Sequence, residues 1–182
     1  MHDMTAGHLR SAYGGECMAR VRYLVWADKA EADGFANAAR LFRGIAFAEQ
    51  VHATNHFREL ADERGGFLGA SMAEYGIGGT SENLQGAIDG ENFEVNEMYP
   101  VYLETAKMQK ERGALKSFHY ALSTEKIHAT MFQSAKESVD GGADPALGPV
   151  QVCNVCGWTG EGEIPEKCPL CGASRDQFTT FA

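Results

Sequence analysis

Residues 48–54 read "AEQVHAT" and residues 124–130 read "TEKIHAT", so one Glu-x-x-His-Ala-Thr element occurs twice, at Glu49 and at Glu125. Each copy lies in a stretch with helical period. Phe42, Ile45, Glu49, His52 and His56 advance by three or four residues, and so do Phe118, Leu122, Glu125, His128 and Phe132. The glutamates and histidines therefore stand on apolar stripes, where buried leucines belong. A lone Glu-x-x-His is usually a solvated i,i+3 pair. Two of them on two buried faces need a chemical reason.

Outward from these elements, residues 5–140 read as helical almost throughout. Asp33-Gly34, Gly65-Gly66, Gly113 and Gly141-Gly142 supply stop signals, and Thr80 a start. They divide the region into segments at about 5–32, 35–64, 81–112 and 114–140. The first and third connections are short, which predicts antiparallel hairpins. Between the hairpins "GGFLGASMAEYGIGG" (65–79) is a long Gly-rich crossover. The expected fold is an all-α, ferritin-like four-helix bundle with that crossover. Residues 1–140 would form it, 141–151 ("GGADPALGPVQ") a flexible linker, and 152–182 a small second domain.

The other two segments carry ionisable groups on their apolar faces as well. Leu9, Tyr13, Glu16, Arg20 and Tyr23 share one face, and Leu84, Ile88, Glu91, Glu94, Met98 and Tyr102 another. Burying several carboxylates together costs several kcal/mol of solvation for each ion unless cations compensate. Arg20 alone cannot neutralise five glutamates. Bound metal can. One Glu from each of two helices plus Glu-x-x-His from each of the other two is the di-iron or di-manganese bundle arrangement. Glu16, Glu49-x-x-His52, Glu91 and Glu125-x-x-His128 supply it. Glu16 precedes Glu49 by 33 residues and Glu91 precedes Glu125 by 34, so two related hairpins would bring both half-sites to one level. His56 lacks the glutamate of a zinc-protease motif and reads as a surface residue or a partner of the ligands. His2, His8 and His119 read as ordinary.

Four of the five cysteines fall in the last thirty residues as Cys153-x-x-Cys156 and Cys168-x-x-Cys171. Two such pairs make a four-thiolate metal site rather than disulfides in an intracellular chain, and staple a segment too small to build its own core. Four thiolates suit zinc or iron. Trp158, Ile164, Phe178 and Phe181 are the expected apolar shell. Cys17 reads as a small buried hydrophobe. The formal net charge of −9 argues against nucleic acid as a partner. No segment is apolar enough for a membrane span, and no secretory leader is evident, so the expected location is cytoplasmic.

In "GECMARVRY" (15–23), "AEQVHA" (48–53), "GENFEVNEMYP" (90–100), "EKIHA" (125–129) and "CNVCGWTGEGEIPEKCPLCG" (153–172), the chain resembles the rubrerythrins over nearly its whole length. The resemblance implies a di-iron bundle followed by a rubredoxin-like domain of short β-strands and loops, with iron at the four cysteines and zinc as the alternative occupant. It makes Glu49 and Glu125 bridging carboxylates, Glu16 and Glu94 terminal ligands of one iron, and Glu91 and His128 ligands of the other. Glu94 and His52 would exchange with oxidation state, and Tyr23 and Tyr99 would lie beside the cluster. It further implies a peroxidase that reduces hydrogen peroxide to water. Electrons would come from an NAD(P)H-dependent reductase or a separate rubredoxin, since the chain has no dinucleotide fingerprint. Ferritin-like iron oxidation and storage, or a di-iron oxidase using dioxygen, are the alternatives. The implied assembly is a head-to-tail homodimer, in which one chain's rubredoxin-like domain serves the other's bundle, with domain-swapped helices as a further option.

Overall fold

Gly34, at φ +89°, ends a first long helix and turns the chain back on itself. In a computed structural model describing residues 1–182, α1 (Asp3–Ala32) and α2 (Ala36–Glu59) form the first hairpin. The 30 residues of α1 make a rod of roughly 45 Å. The second hairpin pairs α3 (Thr80–Phe93), a π-helical turn (Glu94–Met98) and α4 (Tyr99–Met108) with α5 (Arg112–Asp140). The expected third helix is thus interrupted. Pro100 sits at the start of α4, where it has no N–H to give and crowds the carbonyl four residues back. A widened turn just before it accommodates both effects. The stop expected at Gly113 falls instead at Lys110, in the left-handed region at φ 61°, and α2 ends at Glu59 rather than at residue 64.

Two apolar layers sandwich the middle of the bundle. One holds Tyr23, Trp26, Phe42, Leu84, Ile88 and Phe132. The other holds Leu9, Leu60, Met98, Tyr99 and Phe118. On α1, Glu16 falls between the two layers, and the other helices repeat this order. The crossover, residues 60–79, runs along α1 without regular structure. Trp26 Nε1 donates to Gly76 O at 3.0 Å, and Ser11 Oγ to Ala70 O at 2.7 Å. Asp33 fastens the start of α3 by accepting from the Thr80 N–H at 3.2 Å and its hydroxyl at 2.8 Å.

The last thirty residues fold as a three-stranded antiparallel sheet, β1 (Val150–Cys153), β2 (Thr159–Glu161) and β3 (Phe178–Phe181), in the order β2-β1-β3. Val150 pairs with Glu161 on one side and Phe181 on the other. The segment expected to be a flexible linker is pinned. The Asp144 carboxylate caps α2 by accepting from the Asn37 N–H at 2.9 Å and the Ala38 N–H at 3.3 Å, a helix N-terminus being where anionic charge is favoured. β1 already begins at Val150, and Val150 and Val152 belong to the bundle's own core. Gly44 lets the strand in: a Cβ there would stand 2.8 Å from Val150 Cγ1. The small domain therefore sits on the bundle of its own chain.

Candidate metal centres

The Glu-x-x-His spacing, one helical turn, sets each pair side by side on its helix, and antiparallel packing of the hairpins makes the pairs face one another. Glu16, Glu49, His52 and Glu125 offer ligand atoms that all lie within 4.8 Å of one another, and so do Glu49, Glu91, Glu125 and His128. Glu49 and Glu125 belong to both groups. Their two oxygens divide between the histidines: His52 Nδ1 is 2.9 Å from Glu125 Oε1 and 3.0 Å from Glu49 Oε2, while His128 Nδ1 is 2.7 Å from Glu125 Oε2 and 3.3 Å from Glu49 Oε1. This is the disposition of two carboxylates shared by two cations.

The donor set fits a pair of metal ions. Glu16 Oε2, Glu49 Oε1, Glu91 Oε2, both oxygens of Glu125 and His128 Nδ1 are buried without a well-formed hydrogen bond. Orphaned groups of this kind would cost ~1–3 kcal/mol each without a partner. Burial and the neighbouring Glu125 and Glu16 push the Glu49 carboxyl up to about 7. Burial raises Glu91 and Glu125 as well. Burial opposes charge on His52 and His128, yet the surrounding carboxylates carry both imidazoles well above their ordinary value. Burial also opposes charge on Glu16, where His52 and His56 prevail and hold the carboxyl down. Cations in the centre would relieve this frustration.

Two threonines aim the histidines. Thr124 Oγ1 donates to Ala121 O at 2.7 Å, so it accepts from the His52 Nε2–H at 2.8 Å. Thr159 Oγ1 donates to Gly157 O at 3.0 Å and accepts from the His128 Nε2–H at 2.9 Å. Each ring can thereby present Nδ1 to a bound ion, the arrangement in which an outer hydrogen bond fixes a ligand's tautomer. Tyr23 donates to Glu91 Oε1 at 2.7 Å, and Tyr99 donates to Glu16 Oε1. Burial, and then the neighbouring carboxylates, keep both phenols protonated, raising them well above the usual tyrosine range.

Glu94 joins neither group. It starts the π turn and lines a small hollow of about 180 Å³, with Gly15, Arg22 and Ser71 among its neighbours. Burial and the nearby Glu16, Glu125, Glu91 and Glu49 raise its carboxyl well above the usual range. His52 occupies the position that the resemblance assigns to Glu94 in one oxidation state. The sequence reading missed both threonines, since a hydroxyl just before Glu125, or two residues after Gly157, carries no signal for a histidine on another element. His56, one of whose expected places was the surface, is fully buried and bonded to Tyr99 and Ser117. Cys17, expected to be buried, is half-exposed and lines a surface hollow with Met18 and Tyr75.

In the small domain the four sulfurs also gather within 4.8 Å. Cys153 Sγ is 3.7 Å from Cys171 Sγ, and Cys156 Sγ is 3.5 Å from Cys168 Sγ. Bonds of about 2.3 Å from a tetrahedral ion to sulfur imply edges of roughly 3.8 Å, so the cage has the right size. Gly157 and Gly172, at φ +82° and +76°, close the two knuckles with N–H bonds to Cys153 O and Cys168 O, both 2.9 Å. A hydrogen bond from Cys156 holds the Cys153 thiol down at about 5, and burial pushes Cys171 up to about 11. One sulfur thus carries charge that an ion would spread over four. Trp158 and Phe178 pack on the cage, joined by Tyr120 from α5. Phe181 instead leaves the expected shell and packs on Phe47 of α2, 5.7 Å between centroids.

Known proteins match these features. Residues 8–136 match the rubrerythrin family, and residues 151–179 its rubredoxin-like domain. Rubrerythrin-2 of Clostridium acetobutylicum is 48% identical over 98% of this chain and 97% of its own. The putative rubrerythrin of Methanocaldococcus jannaschii is 31% identical over 96% and 91%. The solved structure of nigerythrin in a mixed-valence state superposes with a TM-score of 0.85 at 29% identity, over 97% of this chain and 86% of that one. A Rhodobacter capsulatus bacterioferritin, 19% identical, shares the bundle fold with a TM-score of 0.69 over 78% of this chain and 88% of its own.

Proposed function

The chain belongs to the rubrerythrin family, with a di-iron carboxylate–histidine site in its bundle and a rubredoxin-like four-cysteine site, and from that premise we propose that it reduces hydrogen peroxide to water. The observation that supports this reading is the docking of one site on the other. Gly157, next to Cys156, lies against His52, and Thr159 of the same loop bonds His128. An electron-donating site abutting both histidines of a two-metal site has a purpose in turnover and none in storage.

In this reading Glu16, Glu49, His52 and Glu125 would hold one ion, and Glu49, Glu91, Glu125 and His128 the other. Cys153, Cys156, Cys168 and Cys171 would hold a third iron, which can pass single electrons where zinc cannot. Iron in the bundle supplies two reducing equivalents and Lewis acidity toward both peroxide oxygens. The chain's own residues do the rest. The hollow beside Glu94 admits the substrate, and Glu94 stands ready to replace His52. Tyr23 and Tyr99 hold Glu91 and Glu16 in place through their hydroxyls. The apolar layers above and below keep bulk water from the centre. Electrons enter from a separate rubredoxin or an NAD(P)H-dependent reductase, in a reducing cytoplasm that leaves the thiols free to bind metal.

No helix is long and apolar enough to cross a membrane. Exposed apolar side chains along α1 and the crossover, Val21, Leu68, Met72, Tyr75 and Ile77, support a homodimer. Sedimentation as a fully active monomer would contradict that assembly. For the activity, the test is stoichiometry. Chemically reduced, iron-loaded protein should consume peroxide with two electrons and two protons per molecule and release only water. Uptake of many iron ions per chain as a mineral, with little peroxide consumed, would indicate storage instead.

A further inference from the structure

The four-cysteine site has an inner and an outer side. Its inner side is Gly157, lodged against His52 of the bundle. On the outer side Val155, between the first two cysteines, is 39% exposed, and Cys171 is the one cysteine of the four that is not buried. Val155 lines a polar cleft of about 440 Å³ formed by α2, α5 and the small domain. Asn55 of α2 ties the cleft to the cysteine knuckle by donating from Nδ2 to Val155 O at 2.9 Å. Tyr120 of α5 lines the cleft and also packs on the cysteines. A molecule seated here touches side chains that themselves adjoin the cysteine cage.

Charge sets this face apart. Arg58 and Lys116 are exposed in the cleft, and neither enters an ion pair or a side-chain hydrogen bond. Glu59, the one acid in the lining, lies against Gly113 near the start of α5. Two unpaired cations therefore stand beside an exposed apolar side chain, in a chain whose formal net charge is −9. Charges are screened beyond about 8 Å at physiological ionic strength, so a partner at the cleft feels these cations more than the distant acids. An apolar centre with a polar rim is the form of a protein docking face. None of these residues belongs to the apolar patch on α1 and the crossover that supports the homodimer.

We infer that the face formed by Arg58, Lys116 and Val155 is the docking site of a small acidic protein that carries single electrons. The inference rests on the peroxidase reading, in which the four-cysteine site passes electrons inward and needs a supply from outside. Iron held by four thiolates takes one electron at a time, so a nicotinamide, which gives up a hydride, is not matched to it. Each encounter passes one electron and makes or breaks no bond. The donor is oxidised, the iron held by the cysteines is reduced, and two encounters supply the two electrons of one peroxide. The cations draw in the acidic partner, and Val155 and Tyr120 give it close contact with the cage.

The test uses flavodoxin, a small acidic one-electron carrier whose semiquinone absorbs apart from the thiolate-to-iron band. Zinc-loaded, ¹⁵N-labelled full-length protein is titrated with oxidised flavodoxin, and amide shifts are read by NMR. Iron-loaded protein is mixed with reduced flavodoxin at low and high salt, and bleaching of the thiolate-to-iron band gives the rate of reduction. Shifts should gather at Asn55, Lys116 and Val155, and salt should slow the reduction. Charge focusing in a cleft raises association rates by about 10–10³-fold, so Arg58→Glu with Lys116→Glu should slow reduction at least about tenfold at low salt and abolish the shifts. Reduction by dithionite, which needs no docking, should be unchanged. Arg58→Lys with Lys116→Arg should behave as wild type, and so should Arg64→Glu, an exposed charge outside the cleft. Charge-reversed protein that binds and is reduced like wild type overturns the docking site. So does an Arg64→Glu variant as slow as the reversed pair, or wild-type protein with no shifts at the cleft. Neither readout uses peroxide, so protein that takes electrons at this face yet is inert to peroxide would sink the peroxidase reading alone.

Discussion

Gly157 and His52 approach so closely that no side chain fits between them: a Cβ on Gly157 would stand 2.2 Å from His52 Nε2. Gly157 also holds a φ of +82°, which L side chains rarely adopt. The contact joins the cysteine knuckle to the bundle centre through one backbone-to-imidazole step. Gly157→Ala should therefore displace the small domain and lower stability by roughly 1–3 kcal/mol, as overpacking does. Both metal sites should still fill. Thermal unfolding and the rate at which the cysteine-bound iron re-reduces the bundle check this, and an unslowed electron transfer would contradict it.

Glu125 reaches both ligand groups, whereas Glu94 belongs to neither. Glu125→Ala should lose both bundle metals, and Glu94→Ala should retain them while peroxide turnover falls. Metal content by elemental analysis separates the two. Equal metal loss in both variants would refute the bridging role.

Thr159→Val keeps the shape of the side chain and removes the oxygen that accepts from His128 at 2.9 Å. Loss of such an outer hydrogen bond typically lowers metal affinity about 10–100-fold. The decrease should fall on one of the two bundle ions, the one held by His128 and Glu91. Competition with a coloured chelator would resolve the two affinities, and two equal losses would argue for general unfolding of the site.

Metal binding should release protons. Burial and the neighbouring Glu125 and Glu16 raise the Glu49 carboxyl to about 7, so below that pH the metal-free site holds a proton that a cation must displace. Apparent affinity should then fall with decreasing pH below about 7, by about tenfold per unit for each displaced proton. Raised His52 and His128 add protons to be released in the same direction. Calorimetric titration in buffers of different ionisation enthalpy measures the count. Binding that is flat between about pH 6 and 8 would contradict the crowded-carboxylate account.

The bundle and its ligands were legible because their signal is local and periodic. Glu49-x-x-His52 and Glu125-x-x-His128 announce themselves within one helical turn, and the four cysteines within two short knuckles. What could not be read depends on contacts between distant segments. Asp144 caps a helix more than a hundred residues earlier, and so turns an apparent linker into a fixed strap. Thr159 meets His128 only because β1 is drawn into the bundle core by Val150 and Val152. The π turn at Glu94–Met98 follows from Pro100 and the packing around it, and a periodicity count slides past one added residue. His56 looked ambiguous because Ser117, its outer partner, lies on another helix.

The central claim is that the four-cysteine iron feeds the bundle centre during peroxide reduction. Anaerobic stopped-flow mixing of reduced, iron-loaded protein with hydrogen peroxide tests it most directly, by following the visible thiolate-to-iron band. The account predicts rapid return of that colour, faster than with dissolved oxygen, as the cysteine-bound iron is oxidised through the bundle. A band that stays reduced while peroxide persists would contradict it.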